Sequence, residues 1–163
     1  MKTLGELNKY FASEKAKNAG EYCDRISDLV NQWSSLMIEE MINDPECKLT
    51  KVGKNNIYVL EMFIEMAYSY HASLPGQWST FVIEDVCTDV IPRKLIAGKE
   101  TFAQLPRLLK QMFLWGKLRG YFNPATVDEW LQELDNCKMD ICDNAANPHH
   151  WGMAKSLMSG RFF

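Results

Sequence analysis

EYCDRISDLVNQWSSLMIEEMI (Glu21 to Ile42) decides the fold class. Tyr22, Ile26, Leu29, Val30, Trp33, Leu36, Met37 and Met41 recur in it at steps of three and four, which lines them along one face of a helix. Asn43-Asp44-Pro45 closes the stretch, because proline lacks a backbone donor and disfavours helix in the residue before it. A helix of this length is marginal alone, so its apolar face predicts further helices packed against it.

Upstream, Thr3 with Glu6 three residues on forms a capping signal for a first helix with Leu4, Leu7 and Phe11 inward. Gly20 separates the two. Downstream, Glu46 to Lys54 reads as a polar turn containing Gly53. Asn55 or Asn56 caps a third helix to about Tyr70, apolar over most of its circumference and therefore central. Pro75-Gly76 is a turn signal. Ser79 or Thr80 caps a fourth helix that runs to Ile91, with Phe81, Val82, Val86 and Val90 inward, and Pro92 ends it.

After the Ala97-Gly98 loop, a fifth helix is expected from Pro106 to about Lys117, because proline does least harm in a first turn. Asn123-Pro124 opens a sixth, with Val127, Trp130, Leu131 and Leu134 inward. Asn147-Pro148 repeats that signal for a short last helix, with Trp151, Ala154, Leu157 and Met158 inward and Gly160 at its end. No stretch alternates with period two. The expectation is all-α: a single-domain helical bundle of six to seven helices over residues 1–163.

The composition agrees. Apolar residues make up 47% of the 163 residues and charged ones 24%, which suits one core and argues against disorder. The net charge of -3 gives no global attraction to nucleic acid or an anionic membrane. The longest apolar windows are broken by Glu61, Glu65, Glu84, Asp85 and Asp89, so no membrane span is expected. MKTLGELNKYF has no run of signal-peptide length, and the five cysteines lack disulfide or zinc spacing. Free thiols in a cytoplasmic protein are expected.

Few residues suggest chemistry. His149-His150, with Cys137 and Cys142 upstream, has metal-ligand types without a zinc spacing, so the expected metal content is none. His71 follows Tyr70 where a helix dipole favours a cation, and no acid is visible beside it. There is no GxGxxG, P-loop, GxSxG, HExxH or EF-hand pattern; no catalytic residue or cofactor is expected, and the case for an enzyme is lowered without being excluded.

Charge is uneven instead. Arg93, Lys94, Lys99, Arg107, Lys110, Lys117 and Arg119 crowd one stretch against only Glu100, followed by the acidic run from Asp128 to Asp143. Either these cations form a phosphate-binding face, or the basic and acidic helices lie side by side and neutralise each other. The nine methionines fall largely on faces already apolar, which assigns them to the core. Phe162-Phe163 is the other candidate contact, since an exposed apolar end suits a partner.

Over about residues 78–163 the chain resembles a group of uncharacterised bacterial helical proteins. The resemblance rests on WSTFVIEDVCTDVIPRK with its Pro92-Arg93-Lys94, on RLLKQMFLW, and on Trp151-Gly152-x-Ala154-Lys155. Some of that group sit beside a SEC-C metal-binding motif; this chain has no such cysteine cluster, so no zinc role is implied. The resemblance implies a helical fold and no activity. In the shared residues, Gly152 would let a helix cross a neighbour closely, Ala154 would keep that face small, and Lys155 would reach solvent or an acid of the sixth helix.

The functional expectation is a non-enzymatic cytoplasmic module that binds a protein partner through a helical groove or through Phe162-Phe163. The alternative is a nucleic-acid-associated protein that uses the basic 93–119 stretch.

Overall fold

The computed structural model describes residues 2–13, 16 and 23–159. The chain is all-α: 77% helical with no strand among the described residues, and with eight helices, six of them seven residues or longer. The expected Gly20 break, the start at Glu21, the Gly160 stop and the Phe162-Phe163 contact lie outside the described residues.

Helix α1 (Leu4–Phe11) opens on Thr3, whose hydroxyl accepts the Glu6 N–H at 3.1 Å, and buries Leu4, Leu7 and Phe11 as expected. Helix α2 (Asp24–Asn43) buries Ile26, Val30, Trp33, Met37 and Met41. The Trp33 indole donates to Asn8 Oδ1 at 2.7 Å and fixes α1 across it.

The polar turn expected at Glu46 to Lys54 is corrected in its second half, where α3 (Lys51–Asn55) forms. Thr50 caps it by accepting the Gly53 N–H at 2.9 Å, and Gly53 is buried against Leu108. Helix α4 (Tyr58–His71) is central, with Val59, Leu60, Phe63, Ile64, Ala67 and Tyr68 buried. Neither Asn55 nor Asn56 caps it; Asn56 Oδ1 instead accepts the Thr101 hydroxyl at 2.7 Å. The helix ends on Ala72 at φ 52, with the Ser73 N–H returning to the Ala67 carbonyl at 3.2 Å.

Pro92 does not end the next helix, which corrects the fourth-helix expectation. Helix α5 runs from Thr80–Asp85 through a π turn, Val86–Val90, into Ile91–Lys94. A proline inside a helix clashes with the carbonyl four residues back and leaves it without a donor. The π turn widens the helix just there, and the orphaned Thr88 carbonyl accepts Asn144 Nδ2 at 2.7 Å. Phe81, expected inward, is 65% exposed. It stands with Asp85 on the flank facing His71, beside the face set by Val82, Ile83, Val86 and Val90.

Helix α6 (Lys99–Leu118) starts earlier than expected, so Pro106 lies inside it. Phe102 and Leu105, buried ahead of the proline, outweigh one missing backbone bond. Helix α7 (Pro124–Ala146) starts as expected, with Asn123 Oδ1 accepting from Ala125 and Thr126. It buries Val127, Trp130, Leu134, Cys137, Ile141 and Ala145.

Six rings meet at the centre: Trp33, Phe63, Trp78, Phe113, Phe122 and Trp130, in edge or tilted contacts such as Phe113 on Trp130 at 4.8 Å. Trp130 also donates to the Trp78 carbonyl at 2.8 Å. Gly116 admits the Phe122 ring, which any Cβ there would overlap. Buried apolar side chains of α1, α2, α4, α5, α6 and α7 form one cluster.

The last segment departs furthest from expectation. A 3-10 turn (Pro148–His150) is capped by Asn147 and precedes α8 (Met153–Met158). Ala154 and Leu157 are exposed, as is Met158 at 78%; the residue of α8 that is buried is Lys155, at 4%. The five cysteines are free, and burial pushes the Cys137 thiol up to about 11 and Cys87 well above its ordinary value. Among the described residues no helix is long and apolar enough to cross a membrane.

Candidate functional site

The basic stretch is dispersed. Arg93 reaches Asp89 at 3.4 Å, and Lys94 lies 5.7 Å from the Tyr70 ring centroid. Lys117 bridges to Asp128 at 3.5 Å, so the neutralising arrangement of the fifth and sixth expected helices holds at one end. Arg119 turns to α2, bonding Asp44 at 2.7 Å and covering Trp115. The Trp115 indole, the Glu46 N–H and Arg119 together hold the Asp44 carboxyl below the usual carboxylate range. Arg107 and Lys110 are exposed and form no ion pair among the described residues.

Those two cations stand over a furrow of about 620 Å³ between α6 and α7, floored by Leu131 and Leu134. Cys142 continues it into a second recess of about 200 Å³, which reaches Phe102, Ala145 and Lys99. The furrow exists because the residues along the seam are small: Ala103 and Pro106 on α6, Cys142 and Ala145 on α7. On the α7 side Lys138 is tied to Asp135 at 3.7 Å, so the uncompensated charge lies along α6.

Arg107 and Lys110, candidate binding residues from the sequence, and Lys99 of the same basic stretch come together along the furrow, whereas nothing in the sequence joined Leu131 and Cys142 to them. Their signal is the facing of small residues across two adjacent helices, which requires knowing that the helices pair.

The Pro-Arg-Lys and Trp-Gly-x-Ala-Lys patterns meet in space. The Gly152 N–H donates to the Arg93 carbonyl at 2.9 Å, and Lys155 Nζ donates to the Pro92 carbonyl at 2.7 Å. These are carbonyls in the last turn of α5, which a helix end leaves without intrahelical donors. The ammonium also lies 4.6 Å from the Trp151 ring centroid and 4.9 Å from that of Phe102. Lys155 therefore neither reaches solvent nor pairs with an acid of α7. Burial lowers its pKa from the ordinary lysine value. Gly152 does make the expected close approach, to the Arg93 backbone and Cγ.

Asp85 supplies His71 with the acid that the sequence did not show: Nε2 and Oδ2 are 2.7 Å apart. Among the described residues no serine, threonine or cysteine side chain bonds that imidazole, so the pair lacks a nucleophile. It ties the end of α4 to α5. His149 is exposed, whereas His150 Nε2 lies 3.1 Å from Asp89 Oδ1 without hydrogen-bond alignment. Among the described residues no group of three or more His, Cys, Asp or Glu is placed to hold a metal.

No protein-family model matches the chain, and neither a curated protein nor a solved structure does.

Proposed function

We propose that the chain is a non-enzymatic interaction module that receives a segment of a protein partner in the α6/α7 furrow. The observation that carries this reading is the furrow itself: an apolar floor of Leu131 and Leu134 beside unpaired Arg107 and Lys110. Its size is in the range of sites that bury a ligand or a docked peptide face. The core rings are consumed by packing, and apart from Lys99, which lines the adjoining recess, the remaining cations of the basic stretch are tied to Asp89, Asp128, Asp44 and Tyr70, which supports a protein over a nucleic acid. The five unpaired thiols support a reducing, cytoplasmic setting.

The test is a photo-cross-linking amino acid placed at Leu131 and, as a control, at Asp28 on α2. A captured protein is identified, purified and titrated against the wild type and Leu131→Arg. Capture at Leu131 alone, with rebinding lost in Leu131→Arg, is the expected result. Equal capture from Asp28, or unchanged rebinding, removes the furrow as the partner site.

A further inference from the structure

We infer that the furrow takes an acidic amphipathic α-helix of about three turns from a partner protein, an inference that rests on the furrow being the partner site. The first reason is backbone chemistry. Both walls are α-helices, whose N–H and C=O groups are paired along their length except for the one bond that Pro106 removes from α6. No sheet edge is offered, so an extended peptide would leave its own backbone groups without partners against an apolar floor. A helix satisfies them internally and presents only side chains, which is the helix-in-groove mode.

The second reason is length and floor. From Lys99 to Lys110 the α6 wall rises about 16 Å, or roughly three helical turns. The floor along it is apolar at intervals, from Leu131 and Leu134 through Cys142 to Phe102 and Ala145. A docked helix with apolar residues at i, i+4, i+7 and i+11 spans that series.

The third reason is charge. Lys99, Arg107 and Lys110 line the α6 side with no carboxylate in ion-pair range among the described residues, while Lys138 is held by Asp135. The occupant's flank toward α6 is therefore acidic, which steers association and rejects basic helices. A second copy of this chain fits poorly. The exposed face of α2 is acidic but presents Asp28, Asn31, Gln32, Ser35 and Glu39 around one half-buried leucine, Leu36, where the furrow asks for a series of apolar anchors. A single strand of nucleic acid fits poorly too, since Phe102, the ring in the furrow, is 3% exposed and offers no face for base stacking.

The experiment uses fluorescence anisotropy on the full chain. The probe is a labelled synthetic helix of about fifteen residues with leucine at i, i+4, i+7 and i+11 and glutamate on one flank. Its twin carries lysine in place of glutamate. The acidic peptide should bind at least about tenfold more tightly than the basic one, and Arg107→Glu/Lys110→Glu should reverse that order. Both cations are exposed and unpaired, so the double variant should melt with the wild type, which circular dichroism verifies. Equal binding of both peptides, blocked by Leu131→Arg, overturns the acidic assignment and leaves the furrow as a protein site. Binding of neither peptide overturns the helical occupant, while cross-linking from Leu131 still reports on the site itself. An oligonucleotide that binds and is lost in the double variant, or self-association in sedimentation that is lost in it, assigns the cations to that occupant instead.

Discussion

Lys155 Nζ lies 2.7 Å from the carbonyl oxygen of Pro92, which makes the one buried residue of α8 a cap for the end of α5. Hydrogen bonds to charged groups contribute about 1.5–3 kcal/mol, more than a neutral one. With Trp151 and Phe102 on either side, the ammonium trades water for two ring faces and a carbonyl. The last helix is thus attached by a polar contact where the sequence suggested an apolar one.

Lys155→Ala should release α8 with little damage to the core. Hydrogen exchange should lose protection across 153–158, with a global cost of about 1–3 kcal/mol. Lys155→Met keeps the stem against the rings but leaves the Pro92 carbonyl without its donor, so it should recover only part of the protection. Full recovery with methionine would show that stacking alone holds the helix.

The same lysine predicts an alkaline signature. Its folded-state pKa is lowered by burial, while the unfolded chain titrates near 10.5. Between those values the unfolded state holds more protons, so the stability of wild type relative to Lys155→Met should rise as the pH rises through that window. Urea melts across the alkaline range would show it. A flat difference would mean the ammonium is as well solvated as in the open chain.

Asp44 gives a slope of the same sign at the acid end of the range. Trp115, Glu46 and Arg119 hold its carboxyl below 3.8, so its contribution is present above that value and is lost as the pH falls through the depressed folded-state value. Asp44→Asn should therefore destabilise at neutral pH, and the difference from wild type should close in acid. Because the Trp115 indole is one of its donors, tryptophan fluorescence should shift in the variant at neutral pH.

Gly116 and Phe122 should behave as a unit. A methyl group at 116 overlaps the ring, so Gly116→Ala should cost about 1–3 kcal/mol by overpacking. Phe122→Ala should cost about 3–5 kcal/mol by emptying part of the ring cluster. In the Phe122→Ala background the added methyl has room, so the two costs should fall well short of adding. Additivity in a denaturant-melt cycle would separate the two sites.

The fold class was legible because its signals are local. The stripes of α2 and α4, the Thr3 cap and the Asn123-Pro124 start each act within two turns of their own residues. What the chain hid depends on distant partners. Pro92 reads as a terminator until Asn144 is known to serve the Thr88 carbonyl. Pro106 reads as a first-turn residue until Phe102 and Leu105 are seen to anchor the turns before it. Lys155 reads as a surface charge because nothing within a helical turn reveals the Pro92 carbonyl. The furrow was half legible: Arg107 and Lys110 stand out as cations, but its apolar floor comes from α7, across a loop.

The Pro92 arrangement can be tested by restoring what proline removes. Asn144 Nδ2 serves the Thr88 carbonyl at 2.7 Å because the residue four positions on has no N–H to give. Asn144→Ala should then cost about 1 kcal/mol or more, since a part-buried carbonyl loses its partner. Pro92→Ala supplies a backbone donor in the same turn, and the π turn no longer has a ring to accommodate. In that background Asn144→Ala should cost much less. The cycle thus measures whether one side-chain amide substitutes for one missing backbone bond. Equal costs of Asn144→Ala in both backgrounds would show that Asn144 and Pro92 act independently, and that the π turn needs another cause.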